Sequence, residues 1–323
     1  MKNIKNKITI VVVLAMVAIF ACIGLTSCEN NDKTITIIKF GNHPSLNNCY
    51  DGILLGLKEG GIDLEEYTVD LQDSNFDSSV SASQAANAVN KKVGMVGAIA
   101  TPSAMAAASA AKGKIPVVYC AVSDPVAAGL TGEDAQNVCG SSDILDFEGQ
   151  IDLIKAFIPD VDSIGVLYCT AEANSISQLA TLKTVAATYD IEIKEVSVTN
   201  ANEIPTATDT LLAKDIDCIT NLTDNTIVGA LDVIIEKTNA KNIPVFGSEI
   251  EQVKKGCLAS ASLDYVELGR ATGRMMADII LGKTTADGNF IKIKDSFKCY
   301  NSVVATALEI TVPDIIMTDV EAK

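Results

Sequence analysis

Apolar residues in this chain gather into short runs, each ended by a polar corner and followed by a stretch of helical period. The runs are apolar at nearly every position, not at every second one. That pattern predicts strands buried on both faces, as in a parallel sheet. In the first half the predicted strands are 35–40 (ITIIKF), 66–71, 93–100 and 115–122, with helices at 46–60, 78–90 and 103–111 between them. A second cycle of like design follows, with helices at 147–157, 175–189, 204–213 and 227–239 and strands at 163–168, 191–198, 217–222 and 243–246. A short strand at 257–262 precedes an amphipathic helix at 264–281, with Leu268, Met275, Met276 and Ile279 on its apolar side, and the tail 287–316 reads as strand and loop. Strand–helix alternation of this kind predicts the α/β class, with two doubly wound parallel-sheet lobes.

The polar corners fall at the C-terminal ends of strands, where open α/β sheets bind small ligands. In the first lobe they are Asn42-His43 and Thr101-Pro102-Ser103, with Ser123-Asp124-Pro125 after the next strand. Thr101 is expected to cap the following helix, with Pro102 at its first position. The second lobe offers Glu172-Ala173-Asn174-Ser175, Asp224-Asn225-Thr226 and Gly247-Ser248-Glu249. Free N–H groups at helix starts suit a carboxylate, and an acid or carbonyl group suits an ammonium. These corners can therefore hold both poles of a zwitterion. Asp224, Glu249 and Asp124 are the candidate acids, with Asp224 favoured. Asp124 precedes proline and serves equally well as a turn residue.

The stretch 93–130 also carries a resemblance. ATPSAMAAASA, then IPVVYCAVSDPVAAGL, is similar to the signature of the tryptophan/tyrosine-type substrate-binding lipoproteins of bacterial ABC importers, and EANS at 172–175 and DNT at 224–226 match the same family. The resemblance covers roughly 34–285. It implies a type I periplasmic-binding-protein fold, with lobe 1 at 34–142 plus 264–285, lobe 2 at 143–263 plus 286–323, and a three-stranded hinge. It further implies capture of an amino acid, often an aromatic one, between the lobes and its delivery to ABC permease subunits, by a monomer. Asn47-Asn48-Cys49-Tyr50 departs from the family pattern and is expected to form a wall that sets side-chain specificity.

The first residues change the picture of location. Lys2, Lys5 and Lys7 precede an apolar run at 8–25, and Leu25-Thr26-Ser27-Cys28 closes it. This reads as a secretion signal at 1–27 with a lipid on Cys28, followed by a tether at 28–33. The other reading is an uncleaved membrane anchor. Formal charge is −16, and the leader holds only cations, so the remainder is more acidic still. That excludes nucleic acid and a bare anionic membrane surface as partners.

Candidate chemistry narrows the function further. His43 is the only histidine among 323 residues, so neither a multi-His metal site nor a second catalytic histidine is available. Beyond Cys28 the cysteines lack Cys-x-x-Cys spacing and sit largely in apolar strands, which predicts no zinc site and no disulfide framework. Gly282-Lys283-Thr284-Thr285 imitates the end of a phosphate-binding loop, but Ala277 stands where its first glycine belongs. No cofactor or metal is expected. An exported α/β enzyme lacks its machinery here, and a sensor presenting solute to a membrane receptor stays open as an alternative to import. With tryptophan absent, stacking on a ligand ring would fall to Phe40, Tyr50, Tyr119, Tyr168 or Tyr265.

Overall fold

The computed structural model describes residues 31–132, 135–292 and 297–321; the proposed leader and Cys28 lie outside the described residues. From residue 32 onward the chain forms one unit built on two sheets. In chain order the elements are β1 (Thr34–Lys39), α1 (Pro44–Glu59), β2 (Thr68–Asp73), α2 (Ser78–Asn90), β3 (Met95–Ile99), α3 (Thr101–Ala111), β4 (Val117–Cys120) and β5 (Val138–Ser142). Then come α4 (Phe147–Phe157), β6 (Ser163–Cys169), α5 (Ala173–Ala187), β7 (Glu192–Val198), α6 (Ile204–Leu212), β8 (Cys218–Thr220), α7 (Asn225–Gly229) and α8 (Leu231–Asn239). The chain continues with β9 (Val245–Phe246), α9 (Ile250–Lys254), β10 (Ala259–Ser262), α10 (Tyr265–Ile280), β11 (Phe290–Lys292), β12 (Phe297–Tyr300), α11 (Ser302–Ala307) and β13 (Thr318–Asp319).

The first sheet runs β11-β5-β4-β3-β1-β2 and the second β13-β12-β10-β9-β8-β6-β7. All pairings are parallel except β10 with β12. Ile35, Ile37, Val96 and Val118 bury one lobe, and Ile164, Val166, Ile219 and Phe246 the other. The chain crosses between sheets after β5, after β10 and between β11 and β12. Strand order reverses between β1 and β3 in one sheet and between β6 and β8 in the other. α1 and α3 leave one switch point, α5 and α7 the other, and a crevice opens at such points.

Three elements differ from the sequence reading. β5 was not expected as a strand, because VCGSS lacks a long apolar run. It is nonetheless wholly buried, and a side chain on Gly140 would strike the Tyr119 ring. β11 pairs with β5, so residues 290–292 join the first sheet and not the second lobe. There they cover the edge that β5 would otherwise expose, with Gly288 N–H donating to Val138 O at 2.7 Å. The helix expected over 227–239 is two helices that break at Ala230.

Candidate functional site

A cavity of ≈ 350 Å³ empty volume lies between the lobes. From the first lobe and the hinge it is lined by His43, Ser45, Leu46, Thr101, Ala121, Ser123, Asp143 and Tyr265. From the second come Asn174, Thr223, Asp224, Asn225, Val228, Ser248, Glu249 and Gln252. Six of the expected residues therefore converge: His43, Thr101, Asn174, Asp224, Asn225 and Glu249.

The first-lobe wall is made by two helix starts. The N-cap residues of α1 and α3 are His43 and Ala100, and neither places a side-chain acceptor over the first turn. Thr101 is thus not the cap but the first helical residue. Ala100 (φ 79°) and Ala121 (φ 57°) turn the chain sharply after β3 and β4 in a conformation that non-glycine residues rarely adopt. The start of α7 in the second lobe differs, because two carboxylates fill it, while the start of α5 carries no side-chain cap. Asp224 accepts from Ile227 N–H at 2.9 Å, and its other oxygen takes Cys169 N–H at 2.6 Å and Ser175 Oγ at 2.7 Å. Glu172 takes the N–H groups of Asn225 and Thr226 at 3.1 and 2.8 Å, with Asn225 Nδ2 at 2.6 Å and Thr226 Oγ1 at 2.8 Å. The 172–175 and 224–226 corners therefore bind each other first.

That lock has a consequence for His43. Asn225 points its Nδ2 at Glu172, so its Oδ1 faces His43 Nε2 at 3.3 Å and must accept a proton from it. Burial drives the imidazole down to about 4, so it is neutral at pH 7. Its Nδ1 then carries a lone pair. Among the described residues, His43 Nδ1 and Asn174 Oδ1 are buried cavity-residue atoms with no hydrogen-bond partner, and Ser45 Oγ has only the Glu249 carboxylate beside it. Buried polar atoms are rarely left so.

Two further acids face the cavity. Asp143 accepts from Tyr265 Oη at 2.8 Å and Ser123 Oγ at 3.0 Å, which ties two of the hinge crossings together; burial pushes its carboxyl up. Glu249 caps α9 through Glu251 and Gln252 N–H and is raised by burial to about 7.

The remaining expected residues sit elsewhere. Asn42 is exposed and held by Asn47 Nδ2 at 3.0 Å. Pro102 and Ala173 do not line the cavity, and Ser103 Oγ meets Ser81 Oγ at 3.3 Å behind α3. Asp124 accepts from Ala127 N–H, and also from Ser177 Oγ of the opposite lobe. Ser175 is spent on Asp224, while Glu172 and Thr226 line an outer cavity. The expected specificity wall at 47–50 is not one: Cys49 is in the core, and Asn48 reaches across to Glu251 at 3.3 Å. Ser45, Asp143 and Gln252 were missed. Tyr265 alone of the five aromatic candidates lines this cavity. Among the described residues no group of His, Cys, Asp and Glu is arranged to hold a metal ion, and no helix is long and apolar enough to cross a membrane.

Residues 34–322 match a family described as ABC transporter substrate binding protein. A tyrosine-binding protein from Clostridioides difficile (strain R20291) is 33% identical over 283 residues, 81% of each chain. Among solved structures, an ABC domain in complex with L-Trp from Streptococcus pneumonia superposes with a TM-score of 0.83 at 32% identity, covering 87% of this chain and 96% of that one. The ligand-free, open structure of a substrate-binding protein with adhesive properties from Clostridium difficile gives 0.67, also at 32% identity, covering 90% and 99%. At equal identity the fit is better to the ligand complex than to the open form. This agrees with direct contacts between the lobes here, such as Ser123 Oγ to Thr223 Oγ1 at 2.8 Å.

Proposed function

Since this chain belongs to the family of ABC transporter substrate-binding proteins and is a solute binder, not an enzyme, we propose that it captures one free amino acid, of aromatic type, between its lobes and delivers it to an ABC permease. The observation that carries this reading is the pair of unpartnered buried atoms, His43 Nδ1 and Asn174 Oδ1, on a cavity lined by both lobes. The ligand carboxylate would lie at the uncapped starts of α1 and α3, with the Ser45 and Thr101 hydroxyls. Its ammonium would face Asp143, Glu249 and the His43 Nδ1 lone pair. Asp224 also lines the cavity, but its oxygens accept three hydrogen bonds within the protein, against two each at Asp143 and Glu249, so it ranks behind them for the ammonium. The tyrosine and tryptophan named for the relatives support an aromatic side chain. A ligand touching both lobes favours closure by its differential affinity for the closed form.

Calorimetric titration with the twenty amino acids tests this directly. One aromatic amino acid should bind near one to one, and absence of heat with all of them would sink the reading. The pH dependence tests the ammonium site. A ligand ammonium needs an ionised partner, and Glu249 takes up a proton below about 7. Affinity should therefore fall as pH is lowered from 8 to 5, approaching about tenfold per pH unit if one proton must leave. Glu249→Gln should flatten that dependence.

We also propose that a diacyl lipid on Cys28 holds a monomer at the outer membrane surface of the cell. Two buried acyl chains suffice for stable anchoring. Cys28→Ser should release the protein into the medium and abolish labelling with radioactive palmitate, and retention at the membrane would contradict the anchor.

A further inference from the structure

The ring of Phe76 lies on the seam between the lobes. Asn75 and Phe76 are consecutive non-glycine residues at φ 50° and 61°, a conformation that persists only where the surroundings impose it. Asn75 N–H donates to Asp73 Oδ1 and Phe76 N–H to Phe40 O, each at 2.8 Å. The ring stands edge-on to Phe40 with centroids 6.0 Å apart and nearly parallel to His43 at 6.2 Å. On the opposite lobe it meets Gly229, where a Cβ would fall 3.2 Å from the ring Cζ. A glycine there lets the ring approach bare backbone.

Different spaces lie on the two sides of this contact. Inward is the cavity of ≈ 350 Å³, lined by His43, Asn225 and Val228. Outward is a second space, lined by Phe76 itself with Asp77, Asn200, Thr226 and Gly229. The outer space is lined by both polar and apolar groups and could take a second residue of a peptide. Between them His43 faces inward and Phe76 outward, and Val228 is followed at once by Gly229.

We propose that Phe76 is a specificity-determining wall: it closes the ligand chamber on the seam side, so that free amino acids fit and dipeptides do not. This rests on the amino-acid reading above. A wall set by shape discriminates by what it excludes, so removing it should produce a gain of binding, which a misfolded variant cannot mimic.

The test is calorimetric titration of wild type, Phe76→Ala and Phe76→Val with L-tyrosine, L-tryptophan and dipeptides carrying tyrosine at either end. Wild type should prefer the free amino acid by about 100-fold or more, and Phe76→Ala should cut that preference at least about tenfold, with dipeptide affinity rising in absolute terms. Phe76→Val should move in the same direction and serves if the alanine variant does not fold. An unchanged ratio in a variant that still binds tyrosine would overturn the wall, as would wild type binding dipeptides as well as amino acids. If wild type binds neither class, the amino-acid reading itself falls, and the wall with it.

Discussion

Gly269→Ala is expected to cost about 3 kcal/mol or more of stability, although the substitution adds a single carbon. α1 and α10 pack along their length in the first lobe, and their contact is backbone against backbone. A Cβ on Gly269 would lie 2.1 Å from the Cys49 carbonyl oxygen, and one on Gly52 would lie 2.2 Å from the Val266 oxygen. Neither neighbour is the end of a flexible side chain, so the helices must separate. Leu57, Leu268 and Met276, all fully buried, would then lose close packing. Alanine favours a helix over glycine by about 1 kcal/mol, which offsets only part of this. Urea unfolding measures it, with Lys58→Ala on the exposed face of α1 as the control, expected within about 0.5 kcal/mol of wild type. Equal midpoints for the two variants would show that the crossing can relax. α10 also begins at Tyr265, whose hydroxyl holds Asp143, so a surviving variant should bind ligand more weakly as well.

Much of the fold was legible because buried parallel strands write themselves as apolar runs. The starts of α2, α4 and α6 were read to the residue, each with a side chain or proline suited to it. β5 was hidden because its burial depends on small residues beneath Tyr119 and α10, where Ser141 Oγ meets Thr272 Oγ1 at 2.6 Å. That contact spans 131 residues of sequence and leaves no local pattern. The site divides the same way. Corners at strand ends were legible by type and position, and six of their residues reach the cavity. How fully each carboxylate is engaged within the protein was not, because that depends on partners contributed by neighbouring elements. Asp224 and Glu172 look like ligand acids in one dimension and prove to be helix plugs in three. Asp143 gains its place only because two hinge crossings run side by side, where Tyr265 and Ser123 hold it. Phe76 stands in a polar loop, and only the contact with Gly229 of the other lobe gives it a role.

The plug itself has a testable cost. Glu172→Ala should lose about 3 kcal/mol or more at neutral pH, because each buried donor left without a partner costs about 1–3 kcal/mol. The side chain is buried, and it satisfies two backbone N–H groups, an amide and a hydroxyl at the start of α7. Water cannot easily replace it there, so several donors would be orphaned together. The loss should also depend on pH. Burial, and then the charge of Glu172, hold the Asp224 carboxyl well above the usual carboxylate range. The folded protein thus keeps a proton that the unfolded chain releases near pH 4. Stability from that proton is present in acid and disappears as pH rises through the raised Asp224 value. Removing Glu172 removes the second cause of the shift, so the variant should decline less steeply between pH 5 and 8. The gap between wild type and Glu172→Ala should accordingly be widest at pH 5 and narrower at pH 8, read as urea midpoints. Glu249 adds a decline of its own up to about pH 7, common to both proteins, and so cancels in the comparison. A gap that widens with pH would mean that Glu172 and Asp224 do not oppose each other, and the two plugs would then have to be assigned separate, uncoupled duties.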